Sequence, residues 1–281
     1  MIASDIRLDG RVAIVTGAAA GLGRAMAQAM VRAGANVVFA DINAGATGGA
    51  VAEVAFREGC GKAIGMPCDI TRKEDCERTV AETLRLFGGL HILVNNAGKG
   101  PAHLEAAPGT KSLRFWEADP EVWRLIIETN VVGTFFMSRA AAPALMASGW
   151  GRIVNVTTSL STMQRRENSP YGVSKTAIEA ETLIWAQDMA GTGVTVNSLI
   201  PGGAVNTDFV SDLGKQQARE TGRALLEPEV IVAPMLWLAS TLSDGVTGKR
   251  YVGKDWNPQA PIEEALRTAL EPSVLRAPDR A

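Results

Sequence analysis

Short apolar runs alternate with helix-forming stretches along nearly the whole chain, and this alternation limits the fold more than any other feature. Four of the runs are VAIVTG (Val12–Gly17), NVVFAD (Asn36–Asp41), HILVNNAG (His91–Gly98) and GRIVNVTT (Gly151–Thr158). Strands that are apolar throughout belong in a parallel sheet that helices cover on both faces. The sequence therefore predicts an α/β fold with a doubly wound parallel sheet of about seven strands.

The remaining elements follow the same rhythm without a break that would separate two domains. We predict strands over 63–68 and 193–203, and helices over 24–33, 43–58, 72–87, 120–148, 170–191 and 262–270. The chain has 281 residues, of which 46% are hydrophobic, so a single domain over 1–257 can bury a large core. A tail over 258–281 follows, which either covers an active site or is partly disordered.

Charge and composition exclude several classes of function. The net charge is −2 and the sequence pI is about 5.8, so we expect neither nucleic acid nor a membrane surface as a partner. Three cysteines, an odd number, argue against a disulfide framework and favour a reducing cytoplasm, and the two histidines lie too far apart to suggest a metal site. No apolar run reaches the length of a membrane span or a signal peptide.

The turn after the first predicted strand reads TGAAAGLG (Thr16–Gly23). Glycines allow a tight turn and let the N–H groups that begin the next helix approach a pyrophosphate. Asp41 ends the next strand, where its carboxylate can accept hydrogen bonds from an adenosine ribose. It would repel a 2′-phosphate, and neither Ile42 nor Asn43 is basic, so we predict NAD rather than NADP, with Arg24 as the nearest cation. The predicted contacts here are Gly17, Ala20, Gly21, Leu22, Gly23, Asp41 and Ile42.

The segment YGVSK places Tyr171 and Lys175 four residues apart, on one face of a helix. A nearby ammonium favours the phenolate, which brings a tyrosine closer to the pKa that proton transfer at neutral pH requires. A lone YxxxK also occurs by chance in many helices, so the pair gains meaning only from its context.

Four motifs in order, TGAAAGLG, NNAG (Asn95–Gly98), YGVSK and PGG with Thr207, make the chain resemble the short-chain dehydrogenase/reductase (SDR) family, in its short single-domain branch, over residues 8–253. The resemblance implies a Rossmann fold and an oxidoreductase that transfers hydride between NAD(H) and a secondary alcohol or ketone, with Tyr171 as general acid and base. It also implies a homodimer or homotetramer. The alternative is a dinucleotide-sensing or scaffold protein without turnover.

The resemblance also implies roles for single residues. Lys175 would lower the pKa of Tyr171 and bind the nicotinamide ribose, and Asn130 would hold a water that links the lysine to solvent, unless it only caps a helix irregularity. The family's hydroxyl partner of the tyrosine is a serine, but its place is taken here by Thr158, and Ser159 follows. Either the threonine replaces the serine or the loop is remodelled around Ser159, and we favour Ser159.

Further cofactor contacts come from the same resemblance. Asp69 and Ile70 would read the adenine edge, and Asn95 and the residues after it would line the adenosine side, unless NNAG stabilises the central sheet. PGGAVNT has one residue more than the usual spacing, which leaves the contacts of Val205 and Thr207 open. The remaining predicted contacts are Asn96, Ala97, Gly98, Pro201, Gly202, Val205 and Thr207, besides Tyr171 and Lys175.

Two long segments, 99–119 and 204–227, follow strand ends and are expected to form substrate loops. Arg165 and Arg166 lie between the candidate hydroxyls and Tyr171. Either one of them meets an anionic substrate, or both belong to a solvated charge cluster with Glu167, which we favour.

Overall fold

A computed structural model describes residues 2–54, 59–100, 114–210, 212–222 and 224–275. They form one eight-stranded sheet in the order β3-β2-β1-β4-β5-β6-β7-β8, in which only β8 runs antiparallel to its neighbour. The strands are β1 Val12–Thr16, β2 Asn36–Asp41, β3 Ala63–Pro67, β4 Ile92–Asn95, β5 Gly151–Val156, β6 Val194–Ile200, β7 Arg250–Val252 and β8 Leu270–Glu271. The predicted doubly wound α/β fold is confirmed.

Helices cover both faces of the sheet. They are α1 Gly21–Arg32, α2 Ala44–Ala52, α3 Lys73–Phe87, α4 Pro120–Ile127, α5 Thr134–Ala147, α6 Leu160–Met163, α7 Tyr171–Asp188, α8 Asp212–Glu220, α9 Val232–Leu238 and α10 Ile262–Ala269. Every residue of β1, β5 and β6 is buried, as a strand between two helical layers requires. The apolar side chains therefore form two core clusters, one on each face.

The helix predicted over 120–148 is interrupted by a π-helical turn, Glu128–Gly133, between α4 and α5. An i→i+5 turn adds one residue without changing the apolar periodicity much, so the sequence pattern did not reveal it. The second predicted helix, over 43–58, ends earlier as α2, and its residues 55–58 lie outside the described chain.

The tail forms α10, within the predicted 262–270, and then β8, which no sequence pattern predicted because it has only two residues. Its residues pair with Arg250 and Tyr251 of β7. Of the two expected substrate loops, residues 101–113 lie outside the described chain, and the second contains α8.

Strand order reverses between β1 and β4, since β2 and β3 lie on one side and β5 to β8 on the other. In open parallel sheets such a switch point leaves a crevice at the carboxyl ends of the strands. Both the glycine turn after β1 and NNAG after β4 emerge there.

Candidate active site

The glycine turn has the close contacts that its glycines predict. Gly17 has a φ of 65°, and a β-carbon on it would lie 2.8 Å from Ala97 Cα. A β-carbon on Gly23 would lie 2.1 Å from the Gly17 carbonyl oxygen, so neither position accepts a side chain without rearrangement. Ala20 is the N-cap residue before α1, and its side chain makes no capping hydrogen bond. The first N–H groups of the helix are therefore available. The turn thus fits the pyrophosphate of a dinucleotide.

Asp41 ends β2 next to this turn. Its carboxylate accepts hydrogen bonds from the main-chain N–H groups of Ala19, at 3.0 Å, and Asn43, at 2.9 Å. These bonds hold the carboxylate at the mouth of the crevice. Arg24, the nearest cation in the sequence, forms an ion pair with Glu53 at 3.3 Å.

The NNAG segment fixes the turn from the other side of the crevice. The Asn96 side chain donates to the carbonyls of Thr16 and Gly17, at 2.9 and 3.1 Å. The Ala97 N–H donates to the Thr16 hydroxyl at 3.1 Å. Asn95 instead points into the sheet and donates to Asn155 of β5 at 2.8 Å. The segment therefore stabilises the sheet and also shapes the crevice.

Tyr171 begins α7 and is 7% exposed. Burial raises the pKa of its phenol to about 12, while a hydrogen bond with the Thr158 side chain and the charge of Arg165 act in the opposite direction. The sequence argument expected Lys175 to lower this pKa, but in the free site desolvation is the larger effect. Tyr171 is therefore a neutral proton donor near pH 7.

Lys175 lies one turn further along α7 and is also buried. Its ammonium donates to the Val156 carbonyl at 2.9 Å. Burial lowers the pKa of Lys175 to about 8, against the charge of Glu179, which raises it. The lysine thus changes its charge close to the physiological range.

Thr158 rather than Ser159 lies next to Tyr171, opposite to the preference drawn from the sequence. Thr158 lies close enough to the phenol for its side chain to lower the pKa of Tyr171, against the larger effect of burial. Ser159 instead is the N-cap of α6, where its oxygen accepts from Thr162 N–H at 3.3 Å and lies 2.9 Å from Thr162 Oγ1. The Ser159 hydroxyl is engaged at the helix start by the Thr162 N–H and by the hydroxyls of Ser161 and Thr162, which explains the difference.

Asn130 lies in the π-helical turn and is 1% exposed. Its side-chain oxygen accepts from Lys99 N–H at 2.7 Å, and its nitrogen donates to the Lys99 carbonyl and to Ser174 Oγ, both at 2.9 Å. A β-carbon on Gly98 would lie 3.0 Å from Asn130 Oδ1 and 3.7 Å from Lys175 Nζ. The turn therefore brings Asn130, Lys175 and the loop after β4 together.

The predicted adenine contacts lie after β3. The Asp69 carboxylate accepts from both the N–H and the hydroxyl of Thr71, at 3.0 and 2.7 Å. Ile70 is buried, and a β-carbon on Gly133 of the π-helical turn would lie 2.8 Å from its Cδ1. These contacts link the adenine side of the crevice to the same helix turn that carries Asn130.

The segment from Pro201 to Thr207 closes over the start of α1. Gly202 has a φ of 90°, and Val205 is buried and bridges to Leu226. A β-carbon on Gly21 would lie 3.0 Å from Thr207 Cγ2, so the threonine sits beside the glycine turn despite the extra residue in the motif.

Sequence reasoning missed two groups around Tyr171. The Phe209 ring lies 5.6 Å from the Tyr171 ring, and a β-carbon on Gly100 would overlap it. Arg250 and Glu179 form a buried ion pair behind Thr157 and Thr158. A charged residue within a short apolar run, as Arg250 is in β7, was the one visible signal of this ion pair.

Fold and site together define a dinucleotide-binding α/β protein. A family model described as enoyl-(acyl carrier protein) reductase matches residues 17–253. An NAD-dependent glycerol dehydrogenase from Listeria innocua is 31% identical over 258 residues, which is 88% of this chain and 94% of the relative. The chain belongs to the short-chain dehydrogenase/reductase family.

Solved structures agree with this assignment. A short-chain type dehydrogenase/reductase from Mycobacterium marinum superposes with a TM-score of 0.78 at 28% identity, covering 89% of this chain and 96% of the other. A Beutenbergia cavernae relative with bound NADP has a TM-score of 0.75 at 31% identity, covering 88% and 96%. Within the described residues there is no helix that could cross a membrane and no cluster of metal-binding side chains.

Proposed function

We propose that the protein is an NAD-dependent oxidoreductase that interconverts a secondary alcohol and a ketone, with Tyr171 as general acid and base. The observation that carries the proposal is the buried pair of Tyr171 and Lys175, one helical turn apart on α7, with Thr158 beside the phenol. This pair lies beside a glycine turn that fits a dinucleotide. Family membership supports the oxidoreductase class.

Each side chain has a separate task. Thr158 and Tyr171 hold the oxygen of the substrate between two hydroxyl groups, and the phenol gives up or takes the proton at that oxygen. Lys175 provides a positive charge that favours the tyrosinate, and Asn130 holds the turn that gives the lysine its surroundings. A bound nicotinamide would supply the hydride in reduction or accept it in oxidation, and its oxidised form would add a second positive charge that favours the tyrosinate.

Three groups support NAD over NADP. Asp41 offers a fixed carboxylate where the adenosine ribose is expected, and that carboxylate would repel a 2′-phosphate. Ile42, which follows it, is 72% exposed and carries no charge. Arg24, which could otherwise neutralise a phosphate, is paired with Glu53.

Phe209 supports a pocket for an uncharged, partly apolar substrate. Its ring covers Tyr171 and contacts Gly100, so the substrate carbon skeleton must pack against or displace an aromatic surface.

The test is a matrix of the two oxidised cofactors with a panel of secondary alcohols, and of the two reduced cofactors with a panel of ketones. Absorbance at 340 nm reports turnover. We expect turnover with NAD or NADH and a weaker response with the phosphorylated cofactors. If every combination is silent while the protein binds NADH, the non-catalytic sensor replaces the oxidoreductase.

A further inference from the structure

The end of β5 is held by three charged side chains in succession. The Val156 carbonyl accepts from Lys175 at 2.9 Å, the Thr157 hydroxyl donates to Glu179 at 2.5 Å, and the Thr158 carbonyl accepts from Arg250 at 2.9 Å. The third of these residues, Thr158, carries the hydroxyl that lies beside Tyr171. Their main chain is therefore positioned by groups that lie behind the site.

Arg250 contacts two carboxylates, those of Glu179 and Glu271. Its guanidinium is 1% exposed, pairs with Glu179 through one terminal nitrogen, and reaches Glu271 through Nε at 2.7 Å. Glu179 is also 1% exposed, whereas Glu271 is 44% exposed. A buried ion pair is weak evidence for stability, because the desolvation of its two charges offsets their attraction.

Glu179 lies on the same helix as Lys175, four residues and one turn further along. Its carboxylate raises the pKa of the lysine, opposing the effect of burial. The other charged or titratable groups that face this cluster in the described chain are Tyr171 on α7, Arg250 from β7 and Glu271 from β8, with Arg165 near the phenol.

We propose that Arg250 and Glu179 are positioning residues, which hold the Thr158 main chain in place and keep a negative charge one helical turn behind Lys175. Both side chains are buried, and their contacts in this cluster are with Thr157, Thr158 and Glu271. The effect on turnover rests on the proposed function, because it acts through Tyr171 and Lys175. The effect on the lysine charge does not require turnover.

The experiment follows the titration of Lys175 by NMR of protein labelled with [ε-¹³C]lysine, with Lys175→Met to assign its signal. The wild-type midpoint is expected at about 8. Glu179→Gln removes the carboxylate and should lower the midpoint by about one pKa unit. The double variant Arg250→Met/Glu179→Gln removes both buried charges and avoids an unpaired ion, so the midpoint should fall in the same direction but by less.

Glu271→Gln is the matched control. It makes the same chemical change next to the same arginine, but at the solvent side and away from Lys175, so the midpoint should stay at the wild-type value. An unchanged midpoint in the folded double variant would overturn the proposal, as would an equal shift in Glu271→Gln.

Turnover gives the second readout. In the double variant we expect kcat to fall about tenfold, with the dissociation constant for NADH within about twofold of wild type. A purely structural pair would lower the melting temperature and leave kcat per folded molecule unchanged, which contradicts the proposal. A wild type that titrates as expected but never turns over would refute the proposed function, while the titration would still decide the role of the ion pair.

Discussion

Thr158 and Ser159 stand side by side after β5, and the structure places Thr158 beside the Tyr171 phenol and Ser159 at the start of α6. Family spacing pointed at Thr158, and the preference for Ser159 came from side-chain type alone. The difference in position is local: Ser159 caps α6, and a helix of only four residues is too short to be recognised from its sequence pattern. Side-chain chemistry can be read from a sequence, but the direction in which a hydroxyl points cannot.

Two single substitutions test this assignment. Thr158→Val removes the hydroxyl and keeps the shape, so kcat should fall about 10²-fold, as for loss of one oxyanion-type donor. Ser159→Ala should leave kcat near wild type and lower the free energy of unfolding by about 1 kcal/mol through the lost cap. Steady-state kinetics and thermal unfolding of both variants provide the comparison. The reverse pattern would return the role to Ser159.

The predicted preference for NAD over NADP depends on Asp41. Asp41→Ser removes the charge that is expected to accept the ribose hydrogen bonds, a loss of about 1.5–3 kcal/mol for a charged acceptor. NADH should therefore bind about 10–100-fold more weakly, and NADPH should bind better than to wild type because the repulsion is gone. Fluorescence titration with both reduced cofactors measures this. Equal weakening of both would show that Asp41 only supports the glycine turn through Ala19.

At the scale of elements, the strands and most helices were predictable because the apolar periodicity is strong. The π-helical turn was not, since the residues around Asn130 keep the pattern of an amphipathic helix. β8 was not either, because pairing of two residues with β7 depends on where the tail returns in space. The missed features are the ones that long-range contacts decide.

Helix α7 holds an unpaired carboxyl that makes a prediction on stability. Glu181 has a buried oxygen without a hydrogen-bond partner, and burial raises its pKa to about 7. A raised carboxyl pKa means that the folded state binds more protons than the unfolded state between about pH 4.5 and 7, so stability falls as pH rises through this window. Above pH 7 the Glu181 carboxyl is ionised in the folded state, and the full loss of stability is present.

Glu181→Gln should therefore raise the free energy of unfolding by about 1–3 kcal/mol at pH 8 and change it little at pH 4.5. Each kcal/mol corresponds to about 2–4 °C in melting temperature for a chain of this size. Thermal unfolding at both pH values tests this, with the exposed Glu264→Gln as control. A gain of equal size at both pH values would contradict it.

For the whole molecule, the exposed apolar side chains on α4, α5 and α7 need an explanation. Large apolar residues that are more than one third exposed occur on all three helices: Leu125, Val132 in the π-helical turn, Phe135, Met146, Val173 and Ile184. Exposed apolar side chains that recur on three helices are a candidate protein–protein interface. We therefore expect a homodimer or homotetramer.

Light scattering coupled to size exclusion measures the assembly. The chain mass is 29.6 kDa, and a species of two or four times that mass is expected. Phe135→Glu together with Val173→Glu should shift the protein toward the monomer. Both side chains are exposed, so the substitutions leave the buried face of α7 unchanged. A monomeric wild type at micromolar concentration would refute the assembly.

The central claim is that Tyr171 moves the substrate proton, and the most direct measurement compares wild type with Tyr171→Phe. The first quantity measured is the initial rate of absorbance change at 340 nm with NAD and an alcohol that wild type oxidises. The second is the dissociation constant for NADH. We predict a rate about 10²–10⁴ times lower in the variant with NADH affinity within about twofold of wild type. A variant that turns over at the wild-type rate would contradict the account.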